Sequence, residues 1–165
     1  DCEIKILNTG VKTFTGTRIL KARQYITEKN FLVTYGDGLS DINIKKLIKF
    51  HYKKNKIATI TAVRPPARFG ELILKKQEVI KFDEKIQLNK NWINGGFFIF
   101  KKEFFNYIPN KNTMLETIPM QKLIESRNLV SFKHNGYWQC IDNRRDLISV
   151  RSLIKKKKTP WIKKI

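Results

Sequence analysis

An α/β fold is predicted for this chain by three observations. An apolar strand, Phe31 to Tyr35, is followed by an amphipathic helical stretch, Ile42 to Lys54, and then by a second strand, Ile57 to Val63, the strand, helix, strand unit that builds parallel sheets. The first of these strands ends in Gly36-Asp37-Gly38, a carboxylate flanked by glycines at the strand's carboxyl end, where open α/β sheets bind their ligands. The 165 residues, 41% of them hydrophobic, suffice for one domain with a real core.

Taken in order, Glu3 to Leu7 alternates in character and reads as a strand. Since the sequence opens at Asp1 directly before it, it reads as a chain entered midway. Asn8 to Arg18 is a loop rich in Thr and Gly, and Ile19, Leu20, Arg23, Tyr25 and Ile26 then follow a helical pattern. The entry at Gly16 to Arg18 suits an anion at a helix start. Plain N-capping by Thr15 or Thr17 is the commoner use of such residues and is preferred on local grounds. In the Ile42 to Lys54 helix, Ile44, Leu47, Ile48 and His51 share one face, with Ser40 or Asp41 as cap.

Two prolines in Arg64 to Gly70 end the strand pattern and lead into a hairpin, Leu72 to Leu74 and Val79 to Phe82, with Lys75-Lys76-Gln77 at its tip. A strand from Trp92 to Phe100 is interrupted by Asn94-Gly95-Gly96, read as a place where a ligand nears the backbone. A short helix around Phe104 to Tyr107, a helix opened by Pro119, a strand Leu129 to Phe132, the run Tyr137 to Asp142 and a terminal helix with Leu147, Val150, Arg151 and Ile154 on one face complete the pattern. With no internal repeat and no disordered linker, residues 1–165 are expected to form a single domain.

Composition narrows the function. The formal charge is +20, which invites polyanion binding. The lysines are scattered, however; Lys45, Lys46, Lys49, Lys53, Lys54 and Lys56 fall largely on the solvent side of a helix, and only Lys155 to Lys158 form a block. No nucleic-acid motif accompanies them, so no nucleic-acid partner is expected. No apolar run reaches membrane-span length and no secretion signal is present, which points to no membrane and a cytoplasmic location. Cys2 and Cys140 lack any metal or disulfide spacing and read as ordinary thiols.

The chemistry gathers in a few residues. Asp37 and Asp142 each end an apolar segment before a helix, so a fold that joins them would give one Mg²⁺ two carboxylate ligands. Alone, Asp37 reads more readily as a turn former. Lys85 follows an acid after a strand. With a glycine-rich backbone platform these residues suit a phosphorylated sugar and a nucleotide; there is no Ser-His-Asp grouping, G-x-S-x-G elbow or H-E-x-x-H motif.

Thr34-Tyr-Gly-Asp-Gly38, Pro65-Pro-Ala-Arg-Phe-Gly70, Glu84-Lys85, Ile93-Asn-Gly-Gly-Phe-Phe98, Gly136-Tyr-Trp-Gln139 with Asp142, and Thr159-Pro-Trp161 follow the order and spacing of glucose-1-phosphate cytidylyltransferases, which the sequence resembles throughout. The resemblance implies a Rossmann-like nucleotidyltransferase domain, N-terminally truncated: a mixed, mostly parallel sheet with flanking helices and a sugar-binding hairpin region. It implies condensation of CTP with α-D-glucose 1-phosphate to CDP-glucose and diphosphate, by in-line attack on the α-phosphorus aided by Mg²⁺ rather than by an enzyme nucleophile. By position, Asp37 and Asp142 would hold the metal and Lys85 would meet the sugar phosphate. Glu84, Asn94 and Gly70, with Gly95 beside them, would recognise the sugar; Gly36 would lie beside the nucleotide, and Thr15, Gly16 and Arg18 would face the base and ribose.

The sequence departs from the family in three respects. The glycine-rich loop with its Thr-Arg pair and following lysine has no counterpart, so the fragment is expected not to turn over and to expose an apolar sheet edge prone to self-association, a homo-oligomer included. Thr17 stands where glycine is common. Val11 and Lys12 replace more acidic or hydroxylated residues. The competing readings are a sugar nucleotidyltransferase using UTP or dTTP, a metal-dependent glycosyltransferase lacking its usual D-x-D pair, and a noncatalytic basic module for nucleic acid.

Overall fold

The computed structural model describes residues 2–65, 71–83 and 91–162. The segment after Asp1 has no regular structure as far as residue 14, correcting the expected strand Glu3 to Leu7. Ile4 and Ile6 are 80% and 94% exposed, because alternation alone does not make a strand without a neighbour to accept its hydrogen bonds. Helix α1, Thr15–Ala22, begins earlier than its pattern suggested and runs into a 3₁₀ turn, Arg23–Tyr25. Its N-cap is Phe14, without a side-chain hydrogen bond. The threonines expected to cap it reach elsewhere: Thr15 Oγ1 accepts from the Leu115 N–H at 2.9 Å and Thr17 Oγ1 from the Thr113 N–H at 2.9 Å.

Strand β1 is Asn30–Thr34, β2 Gly38–Ser40, α2 Ile44–Lys54 and β3 Ala58–Val63. The cap near α2 is Asn43, whose Oδ1 accepts from the Lys46 N–H at 2.9 Å; Ser40 lies inside β2 and is not the cap. The hairpin is β4, Glu71–Lys75, and β5, Glu78–Asp83. Then follow β6, Ile93–Lys101, a 3₁₀ helix Lys102–Tyr107, α3, Ile118–Glu125, with Pro119 in its first turn, β7, Leu129–Lys133, β8, Trp138–Cys140, and α4, Arg144–Lys155. None of these helices is long and apolar enough to cross a membrane.

The main sheet has the order β1-β6-β3-β7. At one end of the β1–β6 pair the Lys102 N–H donates to the Lys29 carbonyl (2.8 Å), and at the other the Tyr35 N–H donates to the Gly96 carbonyl (3.0 Å), so these strands run in opposite directions. By contrast Ala58 pairs with Asn128 and His134 with Ala62, which makes β3 and β7 parallel. The Lys101 N–H donates to the Ile57 carbonyl at 2.8 Å while Gly95 lies against the Thr61 carbonyl, so β6 and β3 are antiparallel too, and the mostly parallel sheet expected is corrected to a mixed one, mostly antiparallel. A strand, helix, strand unit sets the mutual direction of β1 and β3 but does not require them to be neighbours, and the later strand β6 lies between them.

Two compact units are distinguished: residues 1–33, 48–60 and 98–131, and residues 34–47, 61–97 and 132–165. The first is built on stacked aromatics, with Phe100 and Phe104 ring centroids 3.9 Å apart and Phe31 and Phe105 5.2 Å apart. Phe98, Phe100 and Phe104 are completely buried, and offset ring stacking adds to their burial. In the second, Leu47, Val63 and Val150 are buried. That second unit carries the residues described next.

Candidate active site

The site begins with a short antiparallel ladder. Gly38 pairs with Cys140, Leu39 with Gln139 and Ser40 with Trp138. Beyond one end, the Ile141 N–H donates to the Asp37 carbonyl at 2.9 Å, and beyond the other the Asp41 N–H donates to the Tyr137 carbonyl at 3.2 Å. Backbone pairing thus draws Asp37 and Asp142 together although they are far apart in sequence. One carboxylate oxygen of each, with Cys140 Sγ, lies within 4.8 Å of the others. Asp142 is fixed by the start of α4: Asn143 Oδ1 caps the helix by accepting from the Asp146 N–H at 3.0 Å, and Asp146 Oδ2 accepts from the Asp142 N–H at 3.2 Å.

Cys140 Sγ donates to Asp142 Oδ1 at 3.0 Å. Burial, followed by this hydrogen bond and the negative charge of Asp37, pushes its thiol up to about 12. The sulfur therefore stays protonated as a weak donor, and the two exposed carboxylates present hard oxygen ligands. That donor set fits a small divalent cation that keeps part of its water shell. Sequence reading treated Cys140 as an ordinary thiol. Its signal was the spacing, since residues two apart in extended chain share a face.

Beside the carboxylates opens a cavity of about 340 Å³, lined by Tyr35, Asn94, Gly96, Trp138 and Gln139 among others. The Trp138 indole N–H donates to the Gly95 carbonyl at 2.8 Å, which holds the ring as a wall. A Cβ on Gly95 would lie 2.7 Å from Val63 Cγ1 and 3.1 Å from the Thr61 carbonyl oxygen. Gly96 has φ +75° and would put a Cβ 3.0 Å from the Tyr35 ring. Packing alone thus requires glycine at both positions, and both also line the cavity. Asn94 is held by its own turn, its Oδ1 accepting from the Gly96 N–H at 2.9 Å and its Nδ2 donating to the Tyr35 hydroxyl at 3.4 Å. Gly36 faces open space.

Thr15, Gly16 and Arg18 belong to the first unit. There the Arg18 guanidinium donates to Thr9 Oγ1 (2.7 Å) and to the Thr13 and Val11 carbonyls, holding the loop before α1. Gly16 packs on the Thr113 carbonyl, 3.0 Å from where a Cβ would be. Gly70, Glu84 and Lys85 lie outside the described residues. One grouping absent from the sequence patterns does form: His134 Nε2 is 2.8 Å from Asp41 Oδ1 and 3.3 Å from Ser40 Oγ. Both partners meet the same ring nitrogen, so this is not the relay of a hydrolytic triad, which uses both.

A family model described as nucleotidyl transferase matches residues 4–157. The chain is 38% identical over 159 residues to a glucose-1-phosphate cytidylyltransferase of Salmonella typhimurium, covering 96% of this chain and 62% of that protein. The chain thus spans somewhat under two thirds of that relative's length. It is 30% identical over 124 residues to a mannose-1-phosphate guanyltransferase of Yarrowia lipolytica, covering 72% of this chain and 34% of the other. The crystal structure of HddC from Yersinia pseudotuberculosis complexed with GMP-PN is similar in fold, with a TM-score of 0.65 at 21% identity, over 90% of this chain and 65% of that one.

Proposed function

From a chain that belongs to the nucleotidyl transferase family, we infer a glucose-1-phosphate cytidylyltransferase activity: CTP and α-D-glucose 1-phosphate to CDP-glucose and diphosphate. The observation that carries this reading is the convergence of Asp37 and Asp142 beside a cavity walled by Asn94, Gly95, Gly96 and Trp138. The choice of branch rests on 38% identity over nearly the whole chain with the cytidylyltransferase, against 30% over a shorter stretch with the guanyltransferase. Because the match covers 62% of the relative's length, the activity is proposed for the whole enzyme to which these residues contribute. The span of the family match, residues 4–157, supports reading both compact units as one nucleotidyltransferase domain. The cytoplasm, where CTP is made, is its proposed location.

In this reaction a sugar phosphate oxygen forms a bond to the α-phosphorus of CTP while the bond from that phosphorus to the β-phosphate oxygen breaks, and diphosphate leaves with the electron pair. Nothing need be covalently held by the protein, so positioning and charge stabilisation do the catalysis. Asp37 and Asp142 would hold Mg²⁺, which supplies positive charge to the crowded phosphate oxygens. The Trp138 wall and the Asn94 turn shape the space for the sugar, Gly36 leaves room beside the nucleotide, and Thr15, Gly16 and Arg18 are proposed to face the base and ribose. Lys85 is proposed to meet the sugar phosphate, with Glu84 and Gly70 completing the sugar contacts.

The test is chromatographic: the whole enzyme that contains these residues, Mg²⁺ and glucose 1-phosphate are incubated in turn with CTP, UTP, dTTP and GTP. CDP-glucose formed from CTP alone is the expected result. A product from another nucleotide in preference would move the chain to a different branch of the family.

A further inference from the structure

A second cavity, of about 610 Å³, lies wholly within the first compact unit and shares no residue with the candidate active site. Its chemistry is of the opposite sign. Arg23, Lys29, Lys101 and Lys102 line it, with Glu103 as the single acid among its lining residues. The cations do not merely happen to be near one another. The Lys102 N–H donates to the Lys29 carbonyl at 2.8 Å, so the two side chains spring from directly bonded backbone. The Arg23 guanidinium sits 5.5 Å from the Phe105 ring centroid, which limits its freedom. Lys101 Nζ donates to Asn55 Oδ1 at 2.6 Å and to its carbonyl at 3.2 Å. Asn55 itself is held at φ +51° just past α2.

The wall is built from the core outward. His51 is 1% exposed, with Nδ1 2.8 Å from Thr59 Oγ1 and Nε2 3.1 Å from Asn30 Oδ1. Asn30 Oδ1 can only accept, so Nε2 carries the proton and Nδ1 accepts from the Thr59 hydroxyl. Asn30 Nδ2 in turn faces the Tyr52 hydroxyl at 3.4 Å. This chain of bonds fixes an amide and a phenol at the rim of the basic cavity. Gathering cations around a pre-shaped polar cavity raises electrostatic energy unless an anion enters, and phosphate oxygens accept well from guanidinium and ammonium groups. The volume falls in the range of small-molecule sites.

We propose that this cavity binds a small phosphorylated anion carrying two or more negative charges, with Lys29, Lys102 and Arg23 on its phosphate groups. The test is a titration of the ¹⁵N-labelled chain with sodium tripolyphosphate, at constant ionic strength and without divalent metal, followed by amide chemical shifts. Saturable shifts at Lys29, Asn55 and Lys102 are expected. A Lys29→Ala/Lys102→Ala variant should bind at least about tenfold more weakly, and Glu103→Gln about two- to threefold more tightly. The proposal is overturned if no saturation occurs by about 10 mM, or if the double variant binds as before. It is likewise overturned if the shifts are confined to Lys155 to Lys158 or to the surroundings of Asp37 and Asp142. The last pattern would leave the active-site reading intact.

Discussion

The two cavities differ in what holds them open. The one beside Asp37 and Asp142 is shaped by backbone: a three-pair ladder, two glycines that no larger residue can replace, and an indole pinned to a carbonyl. The one around Lys29 and Lys102 is shaped by side chains, through a relay from Thr59 to His51 to Asn30. The difference teaches that the acidic site should lose function without losing the fold, whereas the basic cavity is coupled to stability through a buried histidine.

The largest effect that would break this contrast concerns the carboxylates. Asp142→Asn, or Asp37→Asn, in the active enzyme should lower Mg²⁺-dependent diphosphate release by at least about 100-fold, while the urea midpoint barely moves because both side chains are exposed. A large drop in that midpoint would make the pair structural. Next comes His51→Ala, which strands the Thr59 hydroxyl and empties a buried volume; a loss of about 2–4 kcal/mol in urea unfolding is expected. Burial, and then the charge of Lys101, lower the His51 pKa from its ordinary 6.5. The folded protein therefore binds fewer protons than the unfolded chain, so wild-type stability is full above 6.5 and falls as pH drops below it. The variant should show a flatter dependence, and equal slopes would refute the assignment. The smallest effect is kinetic. With its thiol pushed up to about 12 by burial first and then by the hydrogen bond to Asp142, Cys140 should be alkylated by iodoacetamide at pH 8 far more slowly than the exposed Cys2, and comparable rates would show that this buried, hydrogen-bonded setting of the thiol is not held.

Much of this was legible in the sequence, and the failures have physical causes. The runs Phe31 to Tyr35, Ile57 to Val63 and Leu129 to Phe132 carry their β-branched and apolar character locally, and each became a strand. Direction within the sheet did not show, because β6 takes its place between β1 and β3 through pairing remote in sequence. Glu3 to Leu7 had the alternation of a strand but no partner among the described residues. Thr15 and Thr17 looked like caps because capping is their local option; the 113–115 backbone offered them a tertiary one. In the site, Asp37 and Asp142 were visible as carboxylates that each end an apolar segment before a helix, which made their meeting possible, and the family resemblance turned that possibility into an expectation. Gly95 and Gly96 were marked as special, but the reason, Val63 and the Tyr35 ring, depends on neighbours no local pattern reveals.

The ladder between β2 and β8 also bears on how this protein can change over evolutionary time. Only three residue pairs separate the Asp41–Tyr137 bond from the Ile141–Asp37 bond. Adding or deleting one residue on either strand would rotate every side chain beyond it to the opposite face, carrying one carboxylate away from the other. The side chain at Leu39, which does not line the cavity, is therefore free to drift, whereas the number of residues between Asp37 and Asp41, and between Tyr137 and Asp142, is not. Viable insertions should accumulate outside these two segments, and a library of single-residue insertions and deletions scored for activity would map that boundary directly.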